Sequence, residues 1–274
     1  MQRVQFQAGF VLHTRALRET SLLVDVLTPD HGVSRLVARG ARGSKSRIRP
    51  LAQPFRPLLV SWSGAHELKT LTGLEEQGRS YALEKISLAC AYYLNELLLR
   101  LLPEGQPCAT VFARYAESLS ELATSDNTVT IIESVLRRFE LELLNNLGAL
   151  PDFADCARTL SNSDAAGIND SERSTAIMAE ADYDFFPEQG YAINVSRHKD
   201  AVDPVASNAM HSGGYQSPVV RVKGSTLLAL SEVQFTDNSL REAKLVMRSL
   251  LALHLGTKPL KTREMIAFYM NEEK

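Results

Sequence analysis

The hydrophobic residues of this chain change their spacing near residue 80, and this change limits the folds that the chain can adopt. Up to about residue 75 apolar and polar residues alternate, which is the period of a half-buried β-strand. From Tyr81 onward the apolar residues recur every three or four positions, which is the period of an amphipathic helix. The length of 274 residues, 45% of them hydrophobic, suits about two domains. We therefore predict a β-domain over residues 1–78 and a mainly α-helical domain over 79–274.

Five short segments of the first domain are rich in Val, Leu, Thr and aromatic residues and are bounded by turns such as Pro29–Gly32. Their sequences are FQAGFVLHT, SLLVDVLT, VSRLVAR, FRPLLVSW and ELKTLTGL. A five-stranded antiparallel unit removes its exposed edges by closing into a barrel, and a basic loop on such a barrel favours an OB-fold. Alternation alone does not separate an OB barrel from an SH3-like barrel.

The second domain contains four segments with helical spacing, separated by an irregular insertion at about 152–220. The segments cover Ile86–Leu101, Ala109–Ala123, a stretch from a Thr130/Glu133 capping box to Gly148, and a stretch from a Ser239/Glu242 capping box to Gly256. Within the insertion, residues 159–175 are rich in Ser, Asn and Asp and predict a loop. The segment DYDFFPEQGYAINV predicts a hairpin that turns near Pro187 and Gly190.

Hydropathy indicates a soluble protein. The most apolar stretch, ISLACAYYLNELLLRLL, is interrupted by Asn95, Glu96 and Arg100, so no run reaches the roughly 18 residues of a membrane span. The N-terminal MQRVQFQAGFVLHTR has no apolar segment of signal-peptide length. We therefore expect a cytoplasmic protein.

Cysteine and histidine do not form a metal-binding pattern. The three cysteines, Cys90, Cys108 and Cys156, are widely spaced and fit neither a disulfide framework nor a Cys-x-x-Cys zinc site. His198 and His211 match no tight zinc spacing with Cys156. We expect no metal and no other cofactor.

Charge is distributed unevenly along the chain. The formal net charge is −2, yet residues 1–78 hold 11 Lys/Arg against 6 Asp/Glu, a net charge of +5. No acidic residue occurs from His31 to His66, whereas this stretch contains seven cations. Ordinary surfaces intersperse both signs to limit self-repulsion, so a purely cationic stretch indicates a polyanionic ligand.

The stretch GARGSKSR, residues 40–47, resembles a phosphate-binding loop but is not a P-loop. With Lys45 as the P-loop lysine, Arg39 and Ser44 would occupy the two glycine positions, which argues against an ATPase. A flexible cationic loop suits a polynucleotide backbone better than one nucleotide, and the glycines allow close approach. The predicted phosphate contacts are Arg35, Arg39, Arg42, Lys45, Arg47 and Arg49.

Four motifs in this order resemble one known family. They are GFVLHTRALRETSLLVDVLTPDHGVSRLVARGARGSKS, QPFRPLLVSW, LRRFELELLNNLG and GTKPLKTREM. Over nearly the whole chain the sequence is similar to the bacterial recombination mediator family RecO. The resemblance implies an N-terminal OB-fold, a C-terminal helical domain and no enzymatic activity. Many relatives carry a four-cysteine zinc module near residues 152–190, whereas this sequence keeps only Cys156 there, so the resemblance does not imply zinc.

The resemblance also implies a function and partners. Members bind single- and double-stranded DNA and anneal complementary strands. With RecR they help RecA replace the single-stranded DNA-binding protein (SSB), and the need for RecF stays open. The aromatic residues Phe6, Phe10, Phe55 and Trp62 lie within predicted strands, so base stacking is expected to contribute less than backbone phosphate contacts.

A second cationic surface is predicted in the helical domain. Arg241, Lys244 and Arg248 share one helix face by their spacing, next to Leu240, Met247, Leu250 and Leu251. Arg137 and Arg138 on the third helix also qualify, although Glu133 and Glu142 lie four residues from one or the other. RecO relatives bind the acidic C-terminal tail of SSB, which ends in apolar residues, and a hydrophobic groove with a cationic rim fits that ligand. The predicted SSB-tail residues are Arg138, Lys244 and Arg248.

Two other functions remain open from the residues themselves. An RNA-binding OB protein would use the same basic loop. A nuclease is less favoured, because no cluster of acids beside the basic stretch could hold Mg²⁺.

Overall fold

The first five strands close into a barrel in the computed structural model, which describes residues 3–64, 69–124, 128–158, 175–195 and 219–272. The strands are β1 (Arg3–Leu17), β2 (Ser21–Thr28), β3 (Gly32–Ala38), β4 (Leu58–Ser63) and β5 (Lys69–Glu76). They close in the order β1-β2-β3-β5-β4, and every neighbouring pair is antiparallel except β3 with β5. The structure thus confirms the OB-fold and decides the choice between barrels that alternation left open.

One long strand closes the barrel. Residues Arg3–Gly9 of β1 pair with β4, and Phe10–Leu17 pair with β2. The alternating apolar residues face inward and form a core that includes Val11, Val24, Val26, Leu36, Leu58, Val60, Trp62, Leu71 and Leu74. Trp62 is 2% exposed and meets the His31 ring edge-on, so its predicted place in the barrel core is confirmed.

The part of the chain that the structure describes contains six helices and a second sheet. The helices are α1 (Lys85–Leu101), α2 (Ala109–Thr124), α3 (Val129–Asn146), α4 (Gly224–Glu232), α5 (Asp237–Leu255) and α6 (Lys261–Glu272). The additional strands are β6 (Ala157–Arg158), β7 (Asp182–Phe186), β8 (Tyr191–Asn194) and β9 (Val220–Lys223). The predicted hairpin is confirmed as β7 and β8, and Gly190 in its turn has a positive φ of 70°. The two predicted helix ends at Gly148 and Gly256 are also confirmed.

The predicted start of α3 is wrong by two residues. The N-cap is Thr128, whose side-chain oxygen accepts a hydrogen bond from the backbone N–H of Ile131, so Thr130 lies inside the first turn. Glu133 does not close a capping box, because it accepts a hydrogen bond from the guanidinium of Arg137 one turn later.

The predicted capping box of α5 is also wrong. Thr236 is the N-cap and forms the reciprocal box with Ser239, three residues before the expected position. Glu242 instead accepts hydrogen bonds from the backbone N–H of Lys223 and the hydroxyl of Thr226. Both predicted boxes had the right residue spacing, but neither glutamate was available for the cap.

These elements form two compact units, Met1–Leu147 with Thr257–Lys274, and Gly148–Gly256. The predicted domain division after residue 78 stays a prediction. In the first unit Asn95 of α1 links barrel and helices, since its Nδ2 donates to the Leu12 carbonyl at 2.9 Å and its Oδ1 accepts from the Tyr115 hydroxyl at 2.6 Å. In the second unit a sheet of order β6-β8-β7-β9 packs against α4 and α5. Among the described residues, no helix combines the length and apolar character needed to cross a membrane.

The C-terminal helix is attached to α1 by polar contacts within the first unit. Glu96 accepts hydrogen bonds from the backbone N–H groups of Lys261 and Thr262 and from the Thr262 hydroxyl at 2.6 Å, which caps α6. Arg100 donates to the carbonyls of Lys258 and Pro259. Burial tends to raise the pKa of Glu96, but these hydrogen bonds lower it below its ordinary value of 4.5. The carboxylate therefore stabilises this attachment in its charged form.

Candidate nucleic-acid interface

The basic loop, residues 39–49, is fixed to the barrel by small and apolar side chains. Ala41 and Ala52 are each 1% exposed and belong to the barrel core, and Ile48 and Leu51 pack partly against it. The cationic residues of the loop are exposed. The sequence thus folds into a loop whose cations are held on a defined backbone.

Tight turns shape the same loop. The Gly43 N–H donates to the Gly40 carbonyl at 3.1 Å, and the Ser46 N–H donates to the Gly43 carbonyl at the same distance. Gly40 has a φ of 68°, a left-handed conformation that favours glycine. The Ser46 hydroxyl accepts from the Arg49 N–H at 3.3 Å. Glycine and serine therefore supply the turns that bring the cations close together.

Four of the six predicted phosphate contacts are exposed on this loop: Arg39, Lys45, Arg47 and Arg49. Within the described ranges, none of these four forms an ion pair or a side-chain hydrogen bond. No acidic residue lies in the loop to neutralise them. Their charge is therefore directed to solvent and available to an anionic ligand, and contact with DNA stays a prediction.

Arg35 differs from these four because it is paired. Its Nε donates to Asp25 Oδ1 at 2.8 Å, and its Nη1 lies 3.3 Å from Glu104 Oε1. The hydrogen bond with Asp25 raises the pKa of Arg35 above its ordinary value. Asp25 is the cross-strand partner of Arg35 on β2, so the barrel register creates this pair. Much of the charge of Arg35 is thus compensated inside the protein.

Arg42 is exposed but is also engaged by the protein. Its guanidinium donates to the carbonyls of Arg18 at 2.8 Å and Glu19 at 3.1 Å, and its backbone N–H donates to the Thr20 carbonyl. Carbonyls leave the positive charge in place, so Arg42 keeps its charge while it attaches the loop to the β1–β2 turn.

The three predicted SSB-tail residues belong to two units, Arg138 to the first and Lys244 and Arg248 to the second. Arg138 on α3 is 35% exposed, and its Nη1 lies 2.9 Å from Glu121 Oε2 on α2, so the nearby acid is not the expected Glu142. Lys244 and Arg248 lie on α5 of the second unit, where Arg248 is exposed. The joint role of these residues stays a prediction.

Arg248 lines a groove of about 570 Å³ between α5 and β9. Its walls are Val219, Val220, Arg221, Leu245, Arg248, Ser249 and Ala252. Leu245 is 48% exposed, and Arg221 forms a two-bond ion pair with Asp184. The groove is therefore mainly apolar, with Arg248 as its uncompensated cation among the lining residues.

The prediction that four leucine and methionine side chains of α5 form a hydrophobic groove beside this cationic face is wrong. Leu240, Met247, Leu250 and Leu251 are each at most 5% exposed and belong to the core of the second unit. Their helical spacing places them next to the cations along α5, but on the side of the helix that is buried. Leu245 on the outer face takes the role expected of them.

Arg137 is not a surface cation either. Its side chain is 4% exposed and lies between Glu133 at 3.2 Å and Glu140 at 2.6 Å on the same helix. The Tyr93 hydroxyl donates to Glu140 Oε1 at 2.6 Å. The suggestion that Arg137 contributes to a ligand-binding face is therefore wrong, and this residue belongs to a buried polar cluster that joins α1 and α3.

Sequence reasoning missed one aromatic residue. Phe10 is buried in β1 as its strand position implies, whereas Phe6 is 57% exposed. Alternation carries no signal for this difference, because it arises from an irregular register in β1. The prediction that Phe55 lies within a strand is wrong, because Phe55 is buried in the turn before β4.

The described residues do not gather metal-binding side chains into one place. In this part of the chain, no group of three or more His, Cys, Asp or Glu side chains could hold a metal ion. Cys156 is buried, and its thiol lies 3.4 Å from the Phe153 carbonyl. His198, His211 and most of the predicted 159–175 loop lie outside the described residues.

Comparison with known proteins identifies the family. Two sequence models, the N-terminal and C-terminal parts of Recombination protein O, match residues 1–77 and 85–264. A protein named DNA repair protein RecO from Thiobacillus denitrificans is 39% identical over 270 residues, covering 96% of this chain and 92% of the relative. A protein of the same name from Coxiella burnetii is 36% identical, and the match covers 97% of this chain and 99% of the relative. Another from Nitrosococcus oceani is 38% identical, and the match covers 96% of this chain and 93% of the relative. The chain belongs to the RecO family.

Proposed function

We propose that this protein is a DNA repair and recombination mediator that binds single- and double-stranded DNA and anneals complementary strands. With RecR it would promote the loading of RecA onto SSB-coated single strands, with a further functional link to RecF. The relatives that carry the name DNA repair protein RecO support this role. The observation that carries the proposal is the loop with exposed Arg39, Lys45, Arg47 and Arg49 and no acid.

Such a loop favours binding without sequence readout. Lysine and arginine on backbone phosphates release condensed counterions, so affinity arises without contacts to base edges. A factor that acts at arbitrary sites of damage needs this property. Annealing also requires two polyanions to approach each other, and cations on one surface reduce the repulsion between the strands. The protein would therefore act by binding alone, without a catalytic step, in the cytoplasm at the nucleoid.

The tail of SSB is the second ligand of the proposal. An acidic peptide that ends in apolar residues would place those residues between Val219, Val220 and Leu245, with its carboxylates toward Arg248. Lys244 on the same helix would add positive charge along the path of the peptide. Arg138 on α3 of the first unit is proposed to add to tail binding independently of this groove. Binding to SSB would keep the protein near the strand on which it acts and raise its local concentration there.

The experiment compares annealing of complementary strands that are bare or coated with SSB. A variant with Arg39, Lys45, Arg47 and Arg49 changed to Glu should lose annealing on both. A variant with Arg138, Lys244 and Arg248 changed to Ala should lose only the advantage on coated strands. Equal loss by the second variant on bare and coated strands, with its fold verified, would contradict the assignment of an SSB-tail site.

Two controls distinguish the alternatives. A pull-down with SSB and with SSB lacking its last residues tests the tail directly, since only the intact form should be retained. Binding to structured RNA is compared with single-stranded DNA at matched salt, because an RNA-binding OB protein would prefer the RNA. Such a preference would overturn the DNA role while leaving the cationic loop as the binding surface.

A further inference from the structure

Phe6 is held on the outside of the barrel in an unusual backbone conformation. Its φ is 52°, and its side chain is 57% exposed. β1 changes register against β4 between Val4 and Gln7, so Phe6 lies in an irregularity of the strand. A residue with a Cβ in the left-handed region is strained, and both such strain and strand bulges occur often at functional sites.

The neighbouring strands support this conformation and leave space around the ring. The Phe6 N–H donates to the Ser61 hydroxyl at 3.0 Å, and β4 also changes register against β5 next to Ser61. Gly73 of β5 pairs with Ser61. A side chain at Gly73 would meet only the Ser61 Cβ, at 3.9 Å, so this part of the surface is open. The residues beside Phe6 are therefore small and leave space on the outer face of the barrel.

The register of the barrel connects this face to the basic loop. One row of paired residues crosses its outer side: Arg3, Ser63, Thr70 and Val37. The next row contains Phe6, Ser61 and Gly73, with the exposed Thr72 in the register change beside it. If the parallel register of β5 and β3 is continued, this row leads toward Arg39, which follows the last residue of β3. Three strand spacings of about 4.8 Å separate β1 from β3 on this side, so the outer face between Phe6 and the strand that leads into the basic loop is about 14 Å wide.

We propose that Phe6 is a base-stacking residue and that a single nucleic acid strand crosses this face between Phe6 and the basic loop. The proposal rests on the proposed function. Each base has a π-face that stacks on an aromatic ring, so the contact tolerates any sequence. Arg3 in the neighbouring row is exposed, and Arg39 lies at the far end of the Phe6 row, so the flanking backbone would meet positive charge at both ends.

The same surface suits a nucleobase better than an apolar side chain of a partner protein. A protein anchor needs a pocket that excludes water from it. Beside Phe6 lie Ser61 and its strand partner Gly73, with the exposed Thr72 next in sequence, and these residues are small or polar. A planar base covers such an aromatic ring from above without a pocket, because stacking uses only the face of the ring.

The test is the affinity of the full chain for labelled oligo(dT) and for an abasic oligonucleotide of equal length. Phe6→Ala should weaken binding of oligo(dT) by about 5- to 10-fold, the lower part of the range for one stacked base. Binding of the abasic strand, which has phosphates but no bases, should stay unchanged. Phe268→Ala on α6 is the matched control, because Phe268 is 58% exposed and should leave both affinities unchanged.

Two further variants separate binding from folding. Phe6→Gly relieves the left-handed backbone, so it should unfold at no lower temperature than the native protein and still show the same loss with oligo(dT). Phe6→Trp should keep the affinity and add a fluorescence signal that oligo(dT) quenches and the abasic strand does not. The native Trp62 is buried and gives a constant background.

The outcomes are distinct. A loss confined to oligo(dT) supports stacking. An unchanged affinity, or an equal loss on both strands, would overturn the role of Phe6 even if the loop variant fails to bind, and the proposed function would then stand without it. If the loop variant binds both strands normally, the proposed function itself fails.

Discussion

The salt dependence of DNA binding is the sharpest quantitative test of the basic loop, because the structure fixes how many cations are available. Arg39, Lys45, Arg47 and Arg49 have no partner among the described residues, whereas Arg35 is paired with Asp25. For a single strand, log K falls with log salt by about 0.7 per phosphate contact, so four contacts predict a slope of about −2.8. If all six predicted residues bound phosphate, the slope would be about −4.2.

The two slopes differ enough to be measured. A rise in salt from about 50 to 200 mM would weaken binding about 50-fold with four contacts and about 340-fold with six. Fluorescence anisotropy of labelled oligo(dT) over this range gives the slope directly. Changing one of the four, Arg47→Gln, should reduce the slope by about 0.7.

A matched variant controls for general loss of positive charge. Arg114 on α2 is paired with Glu117 at 2.9 Å, so Arg114→Gln should leave the slope unchanged. Thermal unfolding should remain near that of the native protein for all these variants, since exposed loop residues contribute little to the core. A flat salt response, or an unchanged slope in both Arg39→Gln and Arg47→Gln, would refute the loop as the DNA-binding site.

Four other predictions follow from the described contacts and the cysteine content. Arg35→Ala leaves Asp25, 4% exposed, without its 2.8 Å partner and should lower the free energy of unfolding in urea by about 1–2 kcal/mol, less than for a fully buried pair because Arg35 is itself 37% exposed. The pKa of Glu96 is lowered below 4.5 in the folded protein, so the stabilisation by its carboxylate is complete above pH 4.5 and is lost as the pH falls through the folded pKa. Glu96→Gln should therefore flatten the acid side of a plot of unfolding free energy against pH, and an identical plot would contradict this role. Gly32 has a φ of 53°, and a Cβ there would lie 2.1 Å from the Gln106 carbonyl oxygen. Gly32→Ala should therefore lower the free energy of unfolding by more than about 2 kcal/mol, whereas an unchanged value would show that the turn can move. The purified protein should hold no stoichiometric zinc and should keep its fold in EDTA, and elemental analysis that finds about one zinc per chain would disprove this.

Local pattern was sufficient for most secondary structure. The alternation of Val, Leu and aromatic residues predicted all five barrel strands, because one face of each strand has to be apolar for the barrel to close. Helix ends at Gly148 and Gly256 were also readable, since glycine readily adopts the positive φ that often follows the last turn of a helix. The helix starts at Thr128 and Thr236 were missed, because several Ser/Thr residues with similar spacing compete for the same cap.

The candidate site was predictable as a region but not residue by residue. The stretch without acids from His31 to His66 identified the basic loop, because charge content is a property of the sequence itself. The spacing of Arg137 and Arg138 made them look equivalent. Packing buries the first with Glu133 and leaves the second partly exposed beside Glu121.

The sequence by itself determined the barrel, the helical segments and the concentration of positive charge after β3, since periodicity and composition act over a few neighbouring residues. Only the tertiary structure decided which charges are available and which aromatic ring is exposed. Arg35 is compensated because the register of β2 and β3 places Asp25 opposite it. Phe6 is exposed because two register changes meet around Ser61, three strands from the basic loop. These contacts join residues far apart in the chain, and no local pattern records them.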